Sequence, residues 1–126
     1  MSMRCRGIRG ATTVDSNTPE AILAATTELL IELMRANDID VADVASAMFT
    51  TTRDLNAEFP AVAARQLGWT EVALMCGHEM SVPDATPRVI RTLVLVNTDK
   101  TQSEIVNVYL RDAKSLRARG TETQQS

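Results

Sequence analysis

Along the chain the spacing of apolar residues switches between a strand repeat and a helix repeat, and the switches divide it into elements. Residues 4–14 read as a strand. In "DSNTPEAILAATTELLIELMRAND", Thr18 is placed to cap a helix with Pro19 in its first position and Glu20 in its first turn. Ile22, Leu23, Leu29, Leu30, Leu33 and Met34 then recur near helical spacing, with Glu28, Glu32 and Arg35 on the wetted side. Such a helix covers a sheet. "DIDVAD" reads as a turn or short helical piece, and the β-branched and apolar run "VASAMFTTT" as a second strand.

"DLNAEFPAVAARQLG" predicts a loop and a short helix opened by Pro60 and closed at Gly68, followed by a short buried strand, "EVALMCG", ended by Gly77. Pro83 and Pro87 make "HEMSVPDATP" a loop. "RVIRTLVLVN" is apolar on both faces, which places it centrally in a sheet or against another subunit. "TQSE" matches a capping box and one helical turn, after which Val106, Val108 and Leu110 alternate as in a strand, with a longer helix as competitor. The expected fold is α+β, a mixed sheet with helices on one side. Residues 1–117 form a single domain in this reading, and 118–126 a flexible polar C-terminal tail.

Two arginines interrupt this pattern. Strand alternation puts Arg9 on one face with Cys5, Gly7, Ala11 and Thr13, which leaves its guanidinium almost without bulky neighbours. Arg91 shares a face with Val89, Leu93 and Leu95, where an unpaired charge would cost several kcal/mol. A planar fork of donors in such places suits a carboxylate or phosphate. A buried ion pair with one of the chain's own acids is the plainer explanation.

Composition narrows the partners. Thirteen basic against 16 acidic residues give a net charge of −3, and aromatic residues make up 3%, which speaks against nucleic acid as a partner. Lys100 and Lys114 are the only lysines, so the positive charge is almost all arginine. Cys5 and Cys76 make no disulfide framework, and "MSMRCRGIRG" has no apolar core behind it, so a reduced, cytoplasmic setting without membrane attachment is expected. One histidine, His78, and no ligand-spaced cluster give no case for a metal, and no cofactor is expected. The chain of 126 residues is small for a deep private pocket, which makes an oligomer a live option.

Glu79 closes the candidate site as a carboxylate at a strand end. Cys76 as a nucleophile lacks an acid to orient a histidine, and His78 is expected to face away from it, so the thiol reads better as a small hydrophobe or hydrogen-bonding wall. Tyr109 offers a hydroxyl or simply packs. What emerges is an arginine-rich anion pocket with one carboxylate and no nucleophile, a combination suited to a reaction that needs neither nucleophile nor proton transfer.

"RGIRGATTV", "DLNAEFPAVAAR", "MCGHEM", "VIRTLVLVNTD" and "VYLRDAKSLR" together, in order from Arg6 to Arg117, resemble the monofunctional AroH class of chorismate mutases. The resemblance implies a homotrimer forming a pseudo α/β barrel, with active sites at subunit interfaces and chorismate as the substrate rearranged to prephenate. It also implies roles. Arg91 reaches the ether oxygen of the breaking bond and a carboxylate, Arg9 binds the other anionic end, Glu79 accepts from the ring hydroxyl with Cys76 close by, and Tyr109 helps hold a carboxylate. Met75, Cys76, Gly77 and His78 form wall and backbone, Phe59, Ala61 and Leu74 apolar lining, and Arg65, Leu116 and Arg117 the mouth. Val62 stands where the family often has lysine, so no electrostatic steering is expected from it. Two alternatives stay open: a trimeric imine deaminase of the RidA type, and a non-catalytic anion-binding trimer.

Overall fold

The structure, a computed structural model, describes residues 2–116. The elements in chain order are β1 (Arg4–Thr13), α1 (Pro19–Asn37), β2 (Val44–Thr51), α2 (Ala61–Gln66), β3 (Ala73–His78), β4 (Val89–Thr98) and β5 (Val108–Tyr109). Short 3-10 segments cover Val41–Asp43, Gln102–Glu104 and Arg111–Leu116. The sheet runs β3-β2-β4-β1-β5. β4 is antiparallel to β1 and β2, while β3 and β5 run parallel to β2 and β1. The expected α+β mixed sheet is therefore present, with the doubly apolar "RVIRTLVLVN" strand at its centre.

α1 begins as its sequence requires: Thr18 Oγ1 accepts the Ala21 N–H at 3.1 Å, and Pro19 stands first in the helix. Its Leu29, Leu30 and Leu33 are fully buried with Ile8, Phe49 and Val94 of the sheet. The helix comes close to β1 at Gly10, where a Cβ would stand 3.2 Å from the Cδ1 atoms of Leu29 and Leu33. α2 packs on α1 and β3, so both helices cover one face of the sheet.

The strand expected over "IVNVYL" shrinks to Val108–Tyr109. Side chains take the backbone groups that a longer strand would have used. The buried Asn37 accepts the Val106 N–H at 2.8 Å and donates to its carbonyl at 2.9 Å, while Gln102 and Asn107 bond the edge of β1 at Gly7 and Arg9. The capping box forms, with Glu104 Oε1 accepting the Thr101 N–H at 2.8 Å. The 3-10 segment Arg111–Leu116 was not anticipated; it brings Ala113 and Leu116 onto Ala11, Val89 and Tyr109.

Register determines the other face. Gly7, Arg9 and Ala11 of β1 lie opposite Leu95, Leu93 and Arg91 of β4, and β4 places Arg91 and Leu93 opposite Thr50 and Met48 of β2. One end of this face is covered by the Tyr109–Leu116 cluster. Among the described residues the rest has no covering layer, and Met48, Leu93 and Met75 are 44%, 40% and 63% exposed. No helix among the described residues is long and apolar enough to cross a membrane. The expected tail, 118–126, lies outside the described residues, as does Arg117.

Candidate active site

Arg91 occupies the centre of the uncovered face, between Ala11 of β1 and Thr50 of β2. Near its end β3 sets Gly77, which adds no bulk, beside Thr50. The chain then makes one further ladder bond, Glu79 N–H to Thr51 O at 2.8 Å, and Glu79 folds back over the sheet. Its Oε2 accepts from Thr50 Oγ1 and lies 3.5 Å from Arg91 Nε, with both charged side chains about three-quarters shielded from solvent. The ion pair that offered the plainer explanation for Arg91 therefore exists.

Two clefts meet at Arg91. One, of 180 Å³, is lined by Arg9, Met48, Thr50 and Leu93; the other, of 210 Å³, by Thr52, Glu79, Met80, Val89 and Leu116. Tyr109, opposite Ala11 in β5, is 8% exposed and packs beside Leu116, which walls the second cleft. Arg9, Arg91, Glu79, Tyr109 and Leu116 thus gather on one face. Two cations, one carboxylate and the Thr50 hydroxyl on one face are chemically suited to an anion that also carries a hydroxyl. No group of side chains suited to a metal occurs among the described residues.

The remaining residues gather elsewhere. Phe59, 66% exposed, shares a 300 Å³ cleft with Cys76, Gly77 and His78 on the helix side of the sheet edge. β3 alternation turns Leu74 and Cys76 toward the helices and Met75 toward the open face. Ala61 is buried in the core, and Arg65 is exposed on α2. Within one chain, then, Cys76 packs toward the helices while the Glu79 carboxylate reaches Arg91 on the other face. His78 does not face away from Cys76 either: positions two apart share a strand face, and His78 Nδ1 lies 3.2 Å from Thr51 Oγ1.

Thr50 and Asp54 escaped sequence reasoning. The Asp54 carboxylate accepts the Arg88 N–H at 3.0 and 3.2 Å and the Thr52 hydroxyl, which fixes the start of β4 three residues before Arg91. Its signal was present in "TTRD", where Thr and Asp two apart favour such local bonds.

The family model for chorismate mutase type I matches residues 5–119. The chain belongs to the type I chorismate mutase family. It is 51% identical over 113 residues to the chorismate mutase AroH of Thermus thermophilus, covering 89% of this chain and 93% of that one. It is 42% identical over 116 residues to the chorismate mutase AroH of Bacillus subtilis, covering 91% of each. A solved chorismate mutase from Clostridium thermocellum superimposes with a TM-score of 0.85 at 49% identity, over 86% of this chain and 96% of that one. As a type I chorismate mutase the chain joins a family named for an isomerase reaction, which agrees with a pocket rich in fixed charge and without a nucleophile–base pair beside the arginines.

Proposed function

We propose that the protein catalyses the Claisen rearrangement of chorismate to prephenate, on the route to phenylalanine and tyrosine, at a site centred on Arg91. The observation that carries this reading is the Arg91–Glu79 pair held at 3.5 Å on an uncovered sheet face, with Arg9 across the same cleft. In the rearrangement the carbon–oxygen bond breaks ahead of carbon–carbon bond formation, and negative charge grows on the ether oxygen. A guanidinium aimed at that oxygen gains more from the transition state than from bound substrate. Arg9 and Tyr109 hold the carboxylates, and Glu79 accepts from the ring hydroxyl, which together keep the reacting atoms folded toward one another. No proton moves and no cofactor is needed.

The working unit in this proposal is a cytoplasmic homotrimer with a pseudo-barrel core. Two features support it: the uncovered apolar face around Met48, Met75 and Leu93, and the division of family-implied site residues between two faces of the sheet. One copy supplies Arg9, Glu79, Arg91, Tyr109 and Leu116, and its neighbour supplies Phe59, Ala61, Arg65, Leu74 and Cys76. Met75, Gly77 and His78 border the junction, and Arg117, which the resemblance implies for the mouth, lies outside the described residues. Family membership favours this reading over the imine-deaminase and binding-only alternatives.

The test is loss of chorismate absorbance on adding protein, with prephenate identified as product and Arg91→Ala prepared alongside. Removal of the guanidinium is expected to lower kcat by roughly 100- to 1000-fold, about 3 kcal/mol, with a smaller change in KM. An unchanged kcat with a raised KM would reduce Arg91 to a binding residue.

A further inference from the structure

We infer that Thr50 is the positioning residue that holds the Glu79 carboxylate in its working orientation, an inference that rests on Glu79 being the acceptor for the substrate's ring hydroxyl. Thr50 is half-buried on the uncovered face, opposite Arg91 on one side and Gly77 on the other. A Cβ at Gly77 would meet nothing within 4 Å, so the space above that residue is open. The Thr50 hydroxyl and Arg91 Nε then address the same oxygen, Oε2. Among the described residues no hydrogen bond is made to Oε1, which leaves that oxygen for a hydroxyl donor.

The geometry explains why a hydroxyl is needed at this position. A carboxylate beside a guanidinium tends toward a paired, two-oxygen fork, in which both oxygens and two donor N–H groups are consumed. The pair here comes no closer than 3.5 Å, through Arg91 Nε and Glu79 Oε2, so no hydrogen-bonded fork is formed between them. By holding Oε2, Thr50 opposes rotation into the fork, so that Oε1 stays available to substrate. The β-branched threonine also has few rotamers, which limits where its hydroxyl can point. A hydroxyl is the requirement; the methyl group is secondary.

The test compares Thr50→Val, which keeps the shape and removes the donor, with Thr50→Ser, which keeps the donor, each in the wild-type and Glu79→Gln backgrounds, with kcat and KM for chorismate and thermal unfolding measured throughout. The expected result is at least a roughly tenfold loss of kcat in Thr50→Val, near wild-type kcat in Thr50→Ser, and no further loss when Thr50→Val is added to Glu79→Gln. Thr50→Ala supplies the same comparison should the valine protein not fold. An undiminished kcat in Thr50→Val alongside an impaired Glu79→Gln would overturn the inference while leaving the Glu79 reading in place. Equal fold-losses from Thr50→Val in both backgrounds would also overturn it, as the mark of a general structural role. A fully active Glu79→Gln would remove the Glu79 reading and this inference with it.

Discussion

Asn107 and Arg9 are joined by a side chain doing the work of a strand: Asn107 Oδ1 accepts the backbone N–H of Arg9 at 2.9 Å. Two residues earlier in β1, Gln102 makes the same kind of contact, accepting from Gly7 N at 3.3 Å and donating to Gly7 O at 2.7 Å. β5 pairs with β1 only at Gly10 and Ala11, so the edge that carries Arg9 is held by these amides. Removing the Asn107 acceptor takes away this bond to the Arg9 N–H and loosens the base of a cation proposed to bind a substrate carboxylate. Asn107→Ala is expected to raise KM for chorismate about fivefold, near 1 kcal/mol, with kcat within about twofold. Steady-state kinetics checks this, and a fall in kcat at constant KM would contradict it.

Close approach of α1 to the sheet gives a second prediction. At Gly10 an added methyl would press on Leu29, Leu33 and Thr92 Cγ2, the last at 3.3 Å, in a part of the core with no exposed side to yield toward. Gly10→Ala is expected to destabilise the fold by about 1–3 kcal/mol, as small-to-large changes in packed cores do. Denaturant unfolding measures the difference. An unchanged midpoint would mean that the helix shifts to make room at little cost.

Both arginines were visible in the sequence, Arg91 because a charge inside an apolar alternation is conspicuous and Arg9 because its strand face is nearly bare of bulk, and so was the central place of the strand bearing Arg91. Their meeting on one face was not, because it depends on the β1–β4 register that sets Arg9 opposite Leu93 and Ala11 opposite Arg91. Thr50 was missed for the same reason, since a threonine in a β-branched run looks like a strand former until its neighbours across the ladder are known. The shortness of β5 was hidden because alternation at Val106, Val108 and Leu110 says nothing of Asn37, 69 residues earlier, whose amide captures the Val106 backbone. The separation of Cys76 from Glu79 was legible in principle: period-2 alternation alone sends Cys76 with His78 and away from Gly77.

Glu104 provides a prediction in pH. Its carboxyl lies below the usual carboxylate range, chiefly because it accepts the Thr101 backbone N–H, with the Thr101 hydroxyl adding to this and Lys100 contributing least. A carboxyl with a lowered folded-state pKa stabilises the fold at pH above its unfolded value of 4.5, and that contribution is lost as pH falls through the folded value. Glu104→Gln keeps an acceptor for the cap and removes the charge. The wild type is expected to be the more stable of the two near neutral pH, with the difference closing under acid. Parallel denaturant titrations across that range check it, and a difference that grows on acidification would reverse the sign.

The proposed division of the site between two faces of the sheet makes the sharpest demand on assembly. In that proposal Arg91→Ala disables the half-site on the sheet face, and Phe59→Asp, which sets a carboxylate before a dianion, disables the half-site at the sheet edge. Each variant alone should be nearly inactive. In a cyclic trimer whose sites each join one copy's arginines to its neighbour's Phe59, any mixture of the two variants contains one intact site per ring. Random exchange at equal amounts makes three-quarters of the rings mixed, so about a quarter of wild-type activity should return. The measurement is chorismate turnover after unfolding and refolding the variants together, against the same amounts refolded separately and then combined. Failure to regain activity, with both variants shown to be trimers that exchange copies, would place all the working residues within one chain and reject the shared site.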